Sequence, residues 1–183
     1  MPRFLAILLS ALSLILAGNA HARNVALVIA NWQYQSAQQL SNPQNDAKMV
    51  SAALEKVGFD SVIVAENTSM GSLRSALRAF RDKANGAETA LIYYAGHGIE
   101  GKGRNWLVPT DAALQNEADL PYEAIDLEYI MDALHGAQLR IAVLDACRNN
   151  PFANRWKGST RAVSRGLAPV EVDYVLVIYA AAP

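Results

Sequence analysis

Apolar positions fall into two alternating patterns along this chain. Asn24 to Ala30 (NVALVIA) is a continuous apolar run, as in a strand covered on both faces. Asn42-Pro43 then opens a helix, with proline at the first helical position. Ala47, Val50, Leu54 and Val57 recur at helical spacing, and Gly58 stops the run. Ser61 to Ala65 is a short β-branched strand. Ser69 caps a second helix with Leu73, Leu77 and Phe80 on one face and Gly86 past its end. Thr89 to Ala95 (TALIYYA) predicts a third strand. Gly101 to Val108 reads as a hairpin excursion with Gly101 and Gly103 at the turn. Asp126 to Leu134 predicts a third helix, stopped by Gly136. Leu139 to Ala146 (LRIAVLDA) and Tyr174 to Ala180 (YVLVIYA) predict two more strands. Strands joined by helical crossovers imply an α/β fold, a mostly parallel sheet with helices on both faces.

Two segments fall outside this alternation. Met1-Pro2-Arg3, an apolar run from Phe4 to Ala17 and the small-x-small Ala20-His21-Ala22 have the anatomy of a signal peptide. The run is short for a membrane span. Residues 1–22 are therefore expected to be removed on export to a periplasmic or extracellular space, with no membrane contact afterwards. Residues 23–183 then form one domain. Arg148 to Arg165 carries five basic residues, no acidic ones and no clear period, and reads as a mobile loop. The chain stops straight after an apolar strand, which reads as a domain incomplete at its C-terminal end.

Composition narrows the chemistry. At 183 residues, 52% hydrophobic and 18% charged, the chain suits one packed domain rather than a disordered segment. A net charge of −1 argues against a nucleic-acid binder. One cysteine excludes an internal disulfide and Cys-rich zinc sites, and three histidines make a three-His metal centre improbable. No metal or cofactor is expected.

In a parallel α/β sheet, ligands sit beyond the carboxyl ends of the strands. Two strands end there in reactive residues. LIYYAGHG delivers His97 and IAVLDAC delivers Cys147. Parallel strands bring both to one edge, as a thiol nucleophile and an imidazole base require. Gly96 and Gly98 suit a tight turn and close backbone approach. The N–H groups of Gly98 and Cys147 are candidates for an oxyanion hole, in which losing one donor costs about 3 kcal/mol. Taken singly, each residue has a plainer reading: Cys147 as a small core hydrophobe, His97 as a satisfied polar residue. His21 lies in the leader and His135 ends a helix, so His97 is the well-placed base.

At these residues the chain resembles the caspase-like and metacaspase-like cysteine peptidases. The matching motifs are Ala95-Gly96-His97-Gly98 and Asp145-Ala146-Cys147-Arg148, with His and Cys 50 residues apart. ALVIANWQYQ, Asn45-Asp46-Ala47, LVPTDA at Leu107 to Ala112 and CRNNPF at Cys147 to Phe152 extend the likeness over the whole domain. It is similar above all to bacterial members with Tyr-Ala-Gly-His-Gly and Asp-Ala-Cys-Arg. The resemblance implies a three-layer caspase–haemoglobinase-like fold with about six strands. It implies a His97/Cys147 dyad working through an acyl-enzyme on a protein or peptide substrate.

The animal caspase signature, Gln-Ala-Cys-Arg-Gly, selects aspartate before the cut. Here Asp145 replaces that Gln and Asn149 that Gly. Metacaspases with Asp at this place cleave after Arg or Lys and add an acidic residue from the first helix, which Asp46 matches. The expectation is a basic P1 residue held by Asp145 and Asp46. The plainer readings are a helix-dipole contact for Asp46 and a loop-anchoring hydrogen bond for Asp145. Asp111 could line the pocket or cap a turn. Arg155, Lys157, Arg161 and Arg165 mark either a solvated loop or a self-processing site. Some metacaspases are calcium-activated, but no compact carboxylate cluster supports that here.

Three rivals are weighed. A catalytically silent caspase-like binding module keeps the fold; intact His97 and Cys147 speak against it. A thiol esterase or amidase on another α/β fold would be expected to carry G-x-S-x-G, which is absent. A nucleotide-binding domain would show G-x-G-x-x-G after the first strand, where Ala30-Asn31-Trp32-Gln33 stands instead.

Overall fold

The structure is a computed structural model describing residues 23–147, 150–153, 155–156, 167–168 and 175–180. The predicted leader, 1–22, lies outside the described residues. Among the described residues, seven strands form one sheet. β1 (Asn24–Ala30), β2 (Ser61–Glu66), β3 (Thr89–Gly101), β6 (Leu139–Cys147) and β7 (Leu176–Tyr179) run in the parallel order β2-β1-β3-β6-β7. β4 (Arg104–Leu107) and β5 (Ile125–Asp126) extend the far end of β3 as antiparallel strands.

The helices divide between the faces. α1 (Pro43–Lys56) covers one face, placing Ala47 and Leu54 against Ala26, Val28, Ala30, Tyr93 and Ala95. α2 (Met70–Ala84) and α4 (Leu127–Ala133) cover the other through Leu73, Leu77, Phe80, Ile130 and Leu134, packed on Leu27, Ile29, Ile92 and Leu144. This is the three-layer α/β arrangement expected, and buried strands with apolar residues on both faces are what build it. Ser69 caps α2 as its sequence predicts, accepting the Ser72 N–H at 3.2 Å. Val57, placed by its spacing on the buried face of α1, is instead exposed, because the helix ends one residue earlier.

Two expectations need correction. The third strand does not stop at Ala95. β3 continues to Gly101, because its far half finds a new partner in β4. Gly96 and Gly98 therefore sit within a strand and make no tight turn. The turn comes at Lys102 and Gly103, with φ of 52° and 70°, the double left-handed geometry of a two-residue hairpin. The stretch before α4 also holds a 3₁₀ turn (Glu117–Asp119) and the short helix α3 (Leu120–Glu123). Finally, the described residues of the basic segment, 150–153 and 155–156, are anchored. Phe152 and Trp156 are buried with Ile99, Trp106 and Leu114, and the Trp156 Nε1–H donates to the Leu114 carbonyl at 2.9 Å.

Candidate functional site

The site forms where the parallel part of β3 gives way to the hairpin. The β3–β6 register pairs Ala95 with Asp145, Gly96 with Ala146 and His97 with Cys147. The two sequence-predicted reactive residues are thus direct neighbours on adjacent strands, which lie about 4.8 Å apart in any sheet. The apolar runs that precede them bury both strands and fix this register.

His97 is 4% exposed. Its Nε2 lies 2.8 Å from the Gln38 carbonyl oxygen. A carbonyl can only accept, so Nε2 carries the hydrogen and the neutral ring presents its lone pair at Nδ1. Nδ1 is buried with no hydrogen-bond partner among the described residues. Burial holds the imidazole pKa below its ordinary value, and the Gln38 carbonyl offsets part of that shift. At neutral pH the ring is therefore uncharged, as a general base must be.

The main chain of His97 is held as firmly as its ring. Its N–H donates to Tyr34 Oη at 2.8 Å. Its carbonyl accepts from Tyr94 Oη at 2.7 Å and from the Val108 N–H at 3.0 Å. A Cβ on Gly96 would come within 2.7 Å of both tyrosine hydroxyl oxygens, so glycine is needed for them to converge. A Cβ on Gly98 would meet Leu167 at 2.7 Å and the Ala146 Cβ at 3.0 Å. Both glycines serve close packing rather than a turn.

Tyr34 and Gln38 belong to the loop between β1 and α1, which two asparagines hold down. Buried Asn31 accepts the Thr68 N–H at 2.7 Å and donates to the Val108 carbonyl at 3.3 Å. The Oδ1 of Asn67 accepts the N–H groups of Trp32 and Gln33 at 3.0 and 2.9 Å. Asn31, Tyr34, Gln38, Tyr93 and Tyr94 are contributors to the site that residue type and spacing do not single out. The signal in the sequence is a polar pair, Asn31 and Tyr34, directly after an apolar strand; the structure buries both.

On the α1 face of the sheet lie Asp46, Asp145 and Tyr93. The Tyr93 hydroxyl donates to Asp145 Oδ2 at 3.1 Å. Burial, and then the two carboxylates, push the Tyr93 phenol well above its ordinary pKa. Asp46 stands in the first turn of α1, yet its pKa is raised, first by burial and then by the charge of Asp145. The two carboxylates suggested as a pocket therefore share one electrostatic environment.

Asp111 points elsewhere: its Oδ1 accepts the Met70 N–H at 2.9 Å, at the start of α2. Arg155 is exposed and lies 5.8 Å over the Phe152 ring. Lys157, Arg161 and Arg165 lie outside the described residues.

A family model for the caspase domain, peptidase C14, matches residues 23–183. The human mucosa-associated lymphoid tissue lymphoma translocation protein 1 is 30% identical over 129 residues, which is 68% of this chain and 15% of that protein. Its mouse homolog is 29% identical over the same length and the same shares. The chain thus spans about 15% of the length of these curated relatives. A parallel α/β sheet with His97 and Cys147 in register, matched by that family model across the domain, means that this chain belongs to the caspase-domain peptidase family.

Proposed function

We propose that the chain is a cysteine endopeptidase that uses His97 and Cys147 and cleaves after Arg or Lys. The observation that carries the reading is the bare Nδ1 of a neutral His97, on the strand position paired with Cys147. In this mechanism the Cys147 thiol gives its proton to Nδ1 and the sulfur attacks the scissile carbonyl. The N–H groups of Gly98 and Cys147 receive the negative charge on the carbonyl oxygen. The imidazolium then protonates the leaving amine. The resulting thioester is attacked by a water whose proton passes to Nδ1; the C–S bond then breaks, the acid product leaves, and the Cys147 thiolate takes the proton back from Nδ1. The Gln38 carbonyl holds the Nε2–H throughout, keeping the ring oriented while its charge comes and goes.

Asp145 and Asp46 support the basic P1 preference. Two carboxylates in one partly buried place repel each other, and a guanidinium or ammonium between them relieves that repulsion. Export is proposed from the leader pattern, and N-terminal sequencing of the secreted product should begin near Arg23.

Fluorogenic peptides differing only at P1 (Arg, Lys or Asp) test the activity, with Cys147→Ala as the control. Cleavage after Arg or Lys that vanishes in the control supports the reading. Cleavage after Asp keeps the peptidase and removes the pocket argument. A folded protein that cleaves none of them would be a silent binding module.

A further inference from the structure

We infer that Tyr34 is the positioning residue of the dyad, holding the backbone and the ring of His97 at once; this rests on the peptidase reading and deepens it. Three of the contacts of this one side chain carry the role. Its hydroxyl oxygen accepts the His97 N–H at 2.8 Å. The same hydroxyl lies 3.3 Å from the Val108 carbonyl, within donating distance. Its ring lies 4.4 Å from the imidazole, centroid to centroid, tilted by 48°.

The direction of each contact matters. The backbone contact fixes where the Cα of His97 sits at the last parallel pairing of β3 with β6. The ring contact fixes the imidazole's rotation about its side-chain bonds, and the Gln38 carbonyl four residues further on takes its Nε2–H. One loop thus supplies the face and the far nitrogen of the ring, leaving Nδ1 without a protein partner among the described residues. Tyr34 is itself 4% exposed, so its ring also keeps water from the imidazole face. The groups around His97 in these contacts, Tyr34, Tyr94 and the Gln38 and Val108 backbone, are neutral. Exclusion of water is therefore the dominant influence on its charge.

Two variants separate the parts of this role. Tyr34→Phe keeps the ring and deletes the hydroxyl. Tyr34→Leu deletes both. Activity on the Arg peptide should fall on the order of tenfold for the first and about a hundredfold for the second, in kcat, with KM within about twofold. The second readout needs no turnover: the imidazole NMR titration of His97, identified by its loss in His97→Asn. In the parent it should show the Nε2–H tautomer and a depressed pKa. In Tyr34→Leu the pKa should return toward 6.5, the ordinary histidine value.

Unchanged kcat and an unchanged His97 titration in both variants would overturn the inference. If Tyr34→Leu does not fold, Tyr34→Phe decides on kcat and tautomer together. If the parent cleaves no peptide, the peptidase reading fails, and the imidazole titration alone decides the role of Tyr34.

Discussion

Replacing Gly96 with alanine inserts one methyl group at the most crowded point of the site. The new carbon would lie 2.7 Å from Tyr34 Oη, 2.7 Å from Tyr94 Oη and 3.0 Å from Tyr94 Cζ. Both rings are buried and cannot swing into solvent. Overpacking of this kind costs about 1–3 kcal/mol. Moving Tyr34 Oη away also leaves the buried His97 N–H without its acceptor, at about 1–3 kcal/mol more. The sum, about 2–6 kcal/mol, is a large part of the 5–15 kcal/mol by which a domain is usually stable. Urea denaturation of Gly96→Ala, Tyr94→Phe and the double variant measures it. Tyr94→Phe alone should cost about 1 kcal/mol, since the His97 carbonyl keeps the Val108 N–H. It also removes one of the two colliding hydroxyls, so the double variant should be more stable than additivity predicts by about 1 kcal/mol. A Gly96→Ala protein within about 0.5 kcal/mol of the parent, or a strictly additive cycle, would refute this account of the crowding.

Three further outcomes are expected. Asp46→Asn should leave stability at neutral pH the same or slightly higher, because a carboxylate with a raised pKa is disfavoured in its charged form. The same change should raise KM for the Arg peptide, and remove the fall in KM that the parent shows as pH rises through that carboxylate's titration. His97 has a depressed pKa, so below about 6.5 the unfolded state binds the extra proton and stability drops as pH falls; denaturation midpoints should lose this dependence in His97→Asn. Trp156→Phe deletes the donor to the Leu114 carbonyl and should cost about 1–2 kcal/mol, against under about 0.5 kcal/mol for exposed Arg155→Ala, as read by thermal unfolding.

The parallel strands and the two long helices are legible because burial on both faces leaves continuous apolar runs and because Ser69 and Pro43 mark helix starts. The extension of β3 is not legible. Ala-Gly-His-Gly reads locally as a turn, and only pairing with β6 and β4 keeps it extended. The stretch 116–126 has no apolar period; side-chain caps such as Asn116 with Asp119 hold its short pieces together. Cys147 is legible as the end of an apolar strand, and His97 as the first titratable residue after one, although its strand runs on to Gly101. The Gln38 carbonyl is not, because a main-chain acceptor leaves no mark on residue identity. The closeness of Asp46 and Asp145 came from resemblance, since nothing local links the first turn of a helix to the end of a strand a hundred residues on.

His97 and Cys147 face each other across one rung of a parallel ladder. Their spacing is therefore set by sheet hydrogen bonds in the middle of the layer, where opening would require breaking the sheet. β4 and Val108, in the chain between them, help to hold His97 in place, whereas the later stretch from Ala112 to Gly136 makes none of the contacts described around it. That later stretch can lengthen, shorten or take an inserted module while the pairing of His97 with Cys147 is kept. The β1–α1 loop has no such freedom, since it alone supplies Gln38 and Tyr34. Variation in this architecture is thus better tolerated between Ala112 and Gly136 than in the β3–β4 hairpin or upstream of α1.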